Sequence, residues 1–318
     1  MRAATIADGA VVVKQHPDPV PGAGEILVRV RAAGLNGADL LQRRGLYPAP
    51  AGAPVDIPGL EVAGEVIALG PGATRFDLGD RVMAVVAGGG QAELALVHER
   101  AAMPVPVGID WAEAGGFPET FTTAHDALFT QCGLQMGERL CVHGAAGGVG
   151  TAAVQLAAAA GAWVTATVRN EALRDAVAEL GSAAGWTEVV APELFPDHGP
   201  FDVILELVGA PNFATNLGAL DTGGRISIIG VGGGAIAEIN LLALMGKRAR
   251  IHGSTLRARP LEEKADAARR VERHVLPLLE AGDVVVPVEA TFALDEIDAA
   301  YERFAAGGKL GKIVIVFD

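Results

Sequence analysis

Two spacings of apolar residues divide the chain. Up to about residue 117, short apolar runs are separated by turns rich in glycine and proline. The run EILVRVRAAG places Ile26, Val28 and Val30 on one face and both of its arginines on the other, which is the period of a half-exposed strand. LEVAGEVIALG and DRVMAVVAGG follow the same pattern. These residues predict a β-rich domain, a curled sheet or a partial barrel.

From about residue 118 the period changes. Apolar or β-branched runs (RLCVH, AWVTATV, FDVILELV, GRISIIGV and RARIHGSTL) are separated by segments with helical spacing. A further strand is predicted at Thr187 to Val190. Regular alternation of strand and helix predicts an α/β domain, a doubly wound parallel sheet with helices on both faces.

The last 60 or so residues change pattern again. PLEEKADAARRVERHVLPLLEAG predicts one long amphipathic helix ended by glycine. A strand near Val284 to Val288, a helix near Asp295 to Ala306 and the final strand KIVIVF follow. We expect this tail to return to the first domain. A nucleotide-binding domain at 118–256 is then inserted in a catalytic domain formed by 1–117 and 257–318.

The stretch VHGAAGGVG leads from a strand into a helix through small residues. Gly147 and Gly150 occupy the second and third glycine positions of G-x-G-x-x-G, with Ala145 at the first; the run also reads as a glycine at every third position from Gly144. Such a turn leaves backbone N–H groups open to a pyrophosphate. A tight turn without a ligand is the alternative, but the strand–turn–helix context favours a dinucleotide site. Its predicted residues are Gly144, Ala145, Ala146, Gly147, Gly148, Val149 and Gly150.

The residue that ends the second strand of such a sheet meets the adenosine ribose. An acid there favours NAD, and a basic residue accepts the 2′-phosphate of NADP. Here the strand WVTATV ends in Arg169, and Arg174 follows on the next helix. These arginines favour NADPH. Alternatively, Arg169 is a solvated loop residue and Glu171 binds the ribose hydroxyls.

Composition narrows the class of protein. The chain has 318 residues, 50% of them hydrophobic, and a net charge of -13, which argues against binding to a nucleic-acid backbone. No apolar run reaches membrane-spanning length and no leader pattern is present, so a cytoplasmic protein is expected. Cys132 and Cys141 form no metal-binding spacing and are expected to be buried free thiols.

Several stretches together resemble a known family. They are GLNGADLLQRRGLYPAP, IPGLEVAGEV, FPETFTTAHDALF, the glycine turn, GGRISIIGVGGG, GSTLRAR and LGKIVIV. In combination they are similar to the zinc-independent, zeta-crystallin-like quinone oxidoreductase branch of the medium-chain dehydrogenase/reductase superfamily. The resemblance implies a Rossmann domain inserted in a β-rich GroES-like catalytic domain, with the active site in the cleft between them. It also implies NADPH as cofactor, a quinone as substrate and a homodimer formed through the nucleotide domain.

The resemblance also implies which residues form the active site. It places the tyrosine and asparagine, Tyr47 and Asn36, at the acceptor, and Thr123 near the nicotinamide. A surface tyrosine, a turn-forming amide and an ordinary helix threonine are the alternatives. Strand ends at the carboxyl edge of the sheet add Val208, Gly209, Gly230 and Val231 to the cofactor site. The resemblance adds Ser254, Leu256 and Lys312 on the nicotinamide side, although Lys312 could equally be a solvated charge.

Two departures from the family pattern matter. Zinc-dependent relatives place a cysteine within the segment LNGADL and a histidine directly before Glu61; this chain has neither, so no metal is expected. Relatives often place a tyrosine after the third strand against the cofactor phosphate, and Glu188 is the residue near that position here. Reduction of activated C=C bonds in 2-alkenals, enones or enoyl thioesters is an alternative function. Non-catalytic NADPH binding is another.

Overall fold

The computed structural model describes residues 1–182 and 186–318, which form 15 strands and ten α-helices. The strands are β1 Arg2–Ala7, β2 Ala10–Gln15, β3 Glu25–Gly34, β4 Glu61–Leu69, β5 Arg81–Val85, β6 Leu94–His98, β7 Ala102–Pro104, β8 Arg139–Val142, β9 Trp163–Thr167, β10 Trp186–Val190, β11 Phe201–Glu206, β12 Leu220–Ile228, β13 Arg250–Gly253, β14 Val288–Ala293 and β15 Lys312–Val316. The helices are α1 Gly37–Arg43, α2 Trp111–Gly116, α3 Pro118–His125, α4 Gly148–Ala159, α5 Arg174–Leu180, α6 Phe213–Ala219, α7 Leu241–Lys247, α8 Leu261–His274, α9 Leu276–Ala281 and α10 Ile297–Ala305. A π-helical turn, Asp126–Gln131, continues α3.

Two compact units divide the chain. The first contains Met1–Thr122, Leu256–Gly282 and Val286–Asp318; the second contains Thr123–Thr255 together with Asp283–Val285. The short return of Asp283–Val285 to the second unit is held by Gln155 of α4, whose side chain accepts from Val285 N at 2.7 Å and donates to Val285 O at 3.0 Å.

The first unit is built on a seven-stranded sheet of order β14-β15-β3-β4-β5-β7, with β6 paired to β3. All its pairings are antiparallel except that of β14 with β15. Ile26, Val28 and Val30 of β3 are at most 1% exposed, as their alternation predicts. They pack with Val62 and Val82 from the next two strands.

The second unit is a six-stranded parallel sheet of order β10-β9-β8-β11-β12-β13. Counted along the chain this order is 3-2-1-4-5-6, so the direction of winding reverses between β8 and β11, where doubly wound folds bind ligands. The predicted fold class, a Rossmann-type parallel sheet together with a β-rich domain, is confirmed. The strand predicted at Thr187 to Val190 is β10. Both cysteines are buried free thiols, as predicted.

Two predicted elements differ from the structure. The long helix after Leu256 is two helices that meet at Val275, because Pro277 stands at the second position of α9 and cannot continue the hydrogen-bond ladder of α8. The strand predicted near Val284 begins only at Val288. Val284 and Val286 are buried, but Val285 between them is bound by Gln155 rather than by a neighbouring strand.

Candidate functional site

The glycine turn follows β8 and begins α4. Gly144 adopts φ 66°, a left-handed conformation that favours glycine. A Cβ atom on Gly150 would lie 2.5 Å from Gly144 O and 2.6 Å from Ala145 Cα, so only glycine allows the helix to approach the turn this closely. Ala145 donates its N–H to Thr167 O at 3.1 Å, which fixes the turn to the end of β9.

Among the described residues, no side chain forms a capping hydrogen bond at the amino end of α4. Gly147 is the N-cap residue, and no acid lies in the first turn. The N–H groups of that turn have no acceptor within the helix, and the helix dipole makes them attractive to an anion. Residues 146–149 are partly exposed, whereas Ala145 and Gly150 are buried. The turn therefore fits a pyrophosphate; Ala145 and Gly150 are its buried residues, and their contacts with the cofactor stay predictions.

The loops after β11 and β12 lie at the same carboxyl edge and pack backbone to backbone. Gly209 has φ 111°, and a Cβ there would lie 2.5 Å from Gly234 O. A Cβ on Gly230 would lie 2.3 Å from Leu207 O. Val208 is partly buried and Val231 is 40% exposed. The four strand-end residues predicted for the cofactor site are thus brought together.

The two arginines predicted for the 2′-phosphate follow β9. Arg169 is exposed directly after the strand. Arg174 donates from Nε to Val168 O at 3.2 Å, which ties its guanidinium to the strand end. The alternative ribose ligand, Glu171, is 89% exposed and 4.0 Å from Arg174. Both alternatives for the ribose therefore remain predictions.

Glu188 is the residue that the sequence places near the position of the family tyrosine. It lies within β10, in register with Thr165 of β9, rather than after the strand. Its carboxylate is 2.8 Å from His198 Nδ1. The strand ends at Val190, two residues beyond Glu188, so a role of Glu188 in place of the family tyrosine stays a prediction.

The first unit contains a buried ion pair that the sequence did not predict. Lys312 Nζ donates to Glu61 Oε1 at 2.6 Å, to Asn36 Oδ1 at 2.8 Å and to Leu35 O at 2.7 Å. The two charged side chains are 3% and 0% exposed. Lys312 is therefore not a solvated charge. All three of its hydrogens are donated within the protein, so direct binding to a cofactor is not supported.

Asn36 is held by the same pair. Its Nδ2 donates to Glu61 Oε1 at 2.9 Å and to Gly34 O at 3.3 Å. Both amide hydrogens are donated within the protein. Asn36 could therefore contact a substrate only as a hydrogen-bond acceptor or through the position of its backbone. Asp39 lies next to it, accepting from Asn36 N and Gly59 N, and burial raises the pKa of Asp39 to about 6.

Tyr47 is held by Arg257, a residue of the GSTLRAR stretch to which the sequence assigned no role. Arg257 is 2% exposed; its guanidinium lies 5.1 Å from the centre of the Tyr47 ring and donates to Tyr47 O at 3.0 Å. It also donates to Gln42 Oε1 and Ala87 O, both at 2.7 Å. The phenol hydroxyl is not used in these contacts. Burial raises the pKa of Tyr47, so at neutral pH the phenol is protonated and can donate.

Glu119, in the segment PETFTTA, is the second group that the sequence does not single out. Its backbone N–H donates to Glu61 Oε2 at 2.8 Å, whereas its own Oε2 is buried without a hydrogen-bond partner among the described residues. Burial and, to a smaller extent, the nearby Glu61 carboxylate raise the pKa of Glu119 to about 8 against the opposing effect of Lys312. At neutral pH this carboxyl is predominantly protonated.

This raised pKa predicts a pH dependence of stability. The ordinary pKa is 4.5 and the folded value is about 8, so the stability that the protonated carboxyl contributes is complete below pH 4.5 and is lost as the pH rises to 8. Wild type should therefore lose free energy of unfolding relative to Glu119→Gln between these pH values. Urea unfolding at pH 5, 6, 7 and 8 measures it, with Glu302→Gln at an exposed position as control. Parallel curves for wild type and Glu119→Gln would contradict the expected titration.

The remaining predicted residues lie in separate surroundings. Thr123 is 8% exposed in α3 and is the first residue of the second unit. Ser254, in the same unit, donates from its hydroxyl to Asp126 at 3.1 Å. Leu256 belongs to the first unit, where it is 5% exposed. The structure thus gives Ser254 and Leu256 internal contacts, and their cofactor roles remain predictions.

Two further properties of the described residues concern metal sites and membrane spans. Within residues 1–182 and 186–318, no group of three or more His, Cys, Asp or Glu side chains could hold a metal ion. No helix in the described part of the chain is both long and apolar enough to cross a membrane.

Comparison with known proteins agrees with this architecture. Residues 22–130 match the family model described as alcohol dehydrogenase GroES-like domain, and residues 148–273 match the model described as zinc-binding dehydrogenase. The quinone oxidoreductase of Rattus norvegicus is 30% identical, covering 97% of this chain and 94% of its own. That of Pseudomonas aeruginosa is 33% identical, covering 93% and 92%.

A solved structure matches over the full length. The quinone oxidoreductase of Thermus thermophilus, whose complex with NADPH is also solved, is 32% identical, covers 100% of both chains and superposes with a TM-score of 0.85. That of Pseudomonas syringae is 25% identical, with a TM-score of 0.86. Fold, glycine turn and relatives agree: the chain belongs to the quinone oxidoreductase, zeta-crystallin-like branch of the medium-chain dehydrogenase/reductase superfamily and is an NAD(P)-dependent oxidoreductase.

Proposed function

We propose that this protein is an NADPH-dependent quinone oxidoreductase that works without zinc. The observation that carries the proposal is the uncovered amino end of α4 behind a turn that only glycine permits, with Arg169 and Arg174 at the end of the neighbouring strand. This arrangement fits a pyrophosphate and a 2′-phosphate. The choice of a quinone as acceptor is supported by relatives of that name over nearly the whole chain.

The chain's own residues supply binding and polarisation. When bound, NADPH supplies the hydride. The glycine turn and the strand-end loops orient the cofactor, and the Tyr47 hydroxyl donates a hydrogen bond to the acceptor oxygen where negative charge develops. Asn36 stabilises the conformation of this region through its hydrogen bonds with Glu61 and Lys312. Thr123 contacts the nicotinamide carboxamide in this proposal.

We propose that zinc is absent because of the side chains that surround Glu61. Glu61, the acid that follows the missing histidine, is neutralised by Lys312 at 2.6 Å, and no Cys or His lies among the side-chain partners of this pair. An ammonium in contact with the carboxylate leaves no place for a second cation there. Polarisation of the acceptor is then left to hydrogen bonds.

The test of the proposal is the initial rate of NADPH oxidation with a simple 1,4-quinone, compared with an enoyl thioester at equal concentration and with NADH in place of NADPH. Fast turnover of the quinone that requires NADPH supports it. Faster turnover of the enoyl thioester would assign the protein to the alternative, reduction of activated C=C bonds. Tight NADPH binding without either turnover would point to non-catalytic NADPH binding.

Tyr47→Phe separates the hydroxyl from the rest of the side chain. We expect kcat/KM for the quinone to fall by about tenfold, because one hydrogen bond to developing charge is lost. The ring contact with Arg257 and the bond to Tyr47 O do not involve the hydroxyl, so thermal stability should stay unchanged. Unchanged turnover in the folded variant would remove Tyr47 from the mechanism.

The double change Arg169→Ala and Arg174→Gln tests the choice of cofactor. We expect KM for NADPH to rise by about tenfold, from the loss of charge-assisted bonds to the 2′-phosphate, while KM for NADH stays the same. Arg273→Ala, at an exposed arginine in the first unit, controls for the loss of a surface positive charge. An equal rise for both cofactors would contradict a specific role of the two arginines at the 2′-phosphate.

We further propose that the protein is a homodimer formed through the second unit. Strand β13 is the last strand of its sheet, and α7 with the loop before it exposes apolar side chains. They are Ile236 at 92% exposure, Leu242 at 78%, Met245 at 71% and Leu241 at 62%. An unpaired edge beside an apolar patch fits a second copy of this chain. Sedimentation equilibrium measures the mass, and a monomer at micromolar concentration would refute the proposal.

A further inference from the structure

A chain of four buried polar side chains lies beneath the carboxyl edge of the parallel sheet. They are Thr167, His143, Asn216 and Glu206, each at most 2% exposed. His143 Nδ1 lies 3.1 Å from Thr167 Oγ1, and His143 Nε2 lies 2.8 Å from Asn216 Oδ1. Asn216 Nδ2 lies 2.6 Å from Glu206 Oε2. The chain thus crosses from the end of β9, past β8, to the end of β11.

The position of every proton in this chain follows from its last member. Glu206 Oε1 accepts from Val208 N at 2.6 Å and from Gly209 N at 2.7 Å. Asn216 must donate to the other carboxylate oxygen, so its Oδ1 faces His143 and accepts from Nε2–H. His143 Nδ1 is then the acceptor for the Thr167 hydroxyl. Burial lowers the pKa of His143, which agrees with a neutral ring.

Glu206 holds two loops at once. Its carboxylate binds the N–H groups of Val208 and Gly209, and its backbone O accepts from Ile229 N at 3.0 Å and Gly230 N at 3.1 Å. These loops contain the strand-end residues proposed for the cofactor. The other end of the chain reaches the glycine turn, because Thr167 O accepts from Ala145 N.

The buried carboxylate of Glu206 requires compensating hydrogen bonds, because burying an anion costs free energy. An amide at residue 206 would offer one oxygen, and its NH₂ group would face the NH₂ group of Asn216. Only the carboxylate can accept from Asn216 on one oxygen and from both backbone N–H groups on the other. A fully connected buried network of this kind fixes backbone geometry.

We propose that Glu206, acting through Asn216 and His143, is a positioning residue that sets the geometry of the cofactor-binding loops. This inference rests on the proposed function, since it concerns the same NADPH site. It makes the affinity for NADPH depend on the direction of the hydrogen bonds in a chain whose side chains are buried beneath those loops.

The inference is tested by substitutions that change the donor or the acceptor of the hydrogen bond between Asn216 and Glu206. Glu206→Gln sets two NH₂ groups against each other unless the Asn216 amide turns over, which moves the His143 proton to Nδ1 and takes away the acceptor of the Thr167 hydroxyl. Asn216→Asp sets two carboxylates against each other. We expect each single variant to raise the dissociation constant of NADPH by at least about tenfold, the effect of one broken buried hydrogen bond. The double variant exchanges the groups and restores a complementary pair with the same net charge. It should bind NADPH within about threefold of wild type.

The control is Leu217→Ala, which removes a core side chain from the same helix, α6, without touching the chain of polar groups. It should lower the midpoint of thermal unfolding and leave the dissociation constant unchanged. Fluorescence titration with NADPH and thermal unfolding are measured for every variant. If a single variant does not fold, the double variant decides, because a folded double variant that fails to bind overturns the inference.

The outcomes separate the two proposals. Wild type that binds neither NADPH nor NADH overturns the proposed function and this inference with it. Wild type that binds, with single variants that bind equally well, overturns the inference alone. Amide hydrogen exchange of wild type gives an independent measurement, since Val208 and Gly209 should be protected although they lie in a loop. Fast exchange at both would also overturn it.

Discussion

Replacing Lys312 with methionine should lower the free energy of unfolding by about 3–5 kcal/mol, because it leaves the Glu61 carboxylate charged in a buried place without its partner. The methionine side chain has nearly the length of lysine but contains no hydrogen-bond donor. Glu61 would retain only Asn36 Nδ2 and Glu119 N as donors. Urea unfolding at pH 7 measures the loss.

A second variant distinguishes loss of charge balance from loss of packing. The double variant Lys312→Met, Glu61→Gln removes both charges and should be more stable than Lys312→Met alone. A double variant as unstable as the single would attribute the effect to packing.

Gly150→Ala should raise the dissociation constant of NADPH by at least about a hundredfold, the effect of some 3 kcal/mol. The new Cβ would lie 2.5 Å from Gly144 O and 2.6 Å from Ala145 Cα. All of these contacts are backbone atoms, so relief requires α4 to move away from the turn. The N–H groups that the pyrophosphate needs move with it. Fluorescence titration with NADPH measures the loss.

The matched control is Gly218→Ala, the same chemical change in α6, where a Cβ would meet nothing within 4 Å. An alanine in a helix is ordinarily favourable, so this variant should be at least as stable as wild type and bind NADPH normally. Binding by Gly150→Ala that matches Gly218→Ala would show that the close approach of helix and turn is not required for the cofactor.

The sequence by itself determined the features that depend on neighbours along the chain. Alternation in β3 predicted which residues are buried, and the glycine turn could be read from seven consecutive residues, because helix, strand and turn geometry are set locally. The change from strand period to strand–helix alternation predicted the fold. Pro277 marked a helix break that the periodicity of apolar residues concealed.

The tertiary structure alone decided the partners of charged and polar groups. Lys312 meets Glu61 across 251 residues, and Arg257 meets Gln42 across 215. Neither pairing produces a pattern along the sequence. From the sequence, Lys312 could equally be a solvated charge, and Arg257 was assigned no role within its motif. The raised pKa of Glu119 and the proton arrangement of His143 likewise follow from burial and from partners on other strands and helices. Hydrogen-bond direction and desolvation are properties of three-dimensional surroundings, and spacing in a sequence does not carry them.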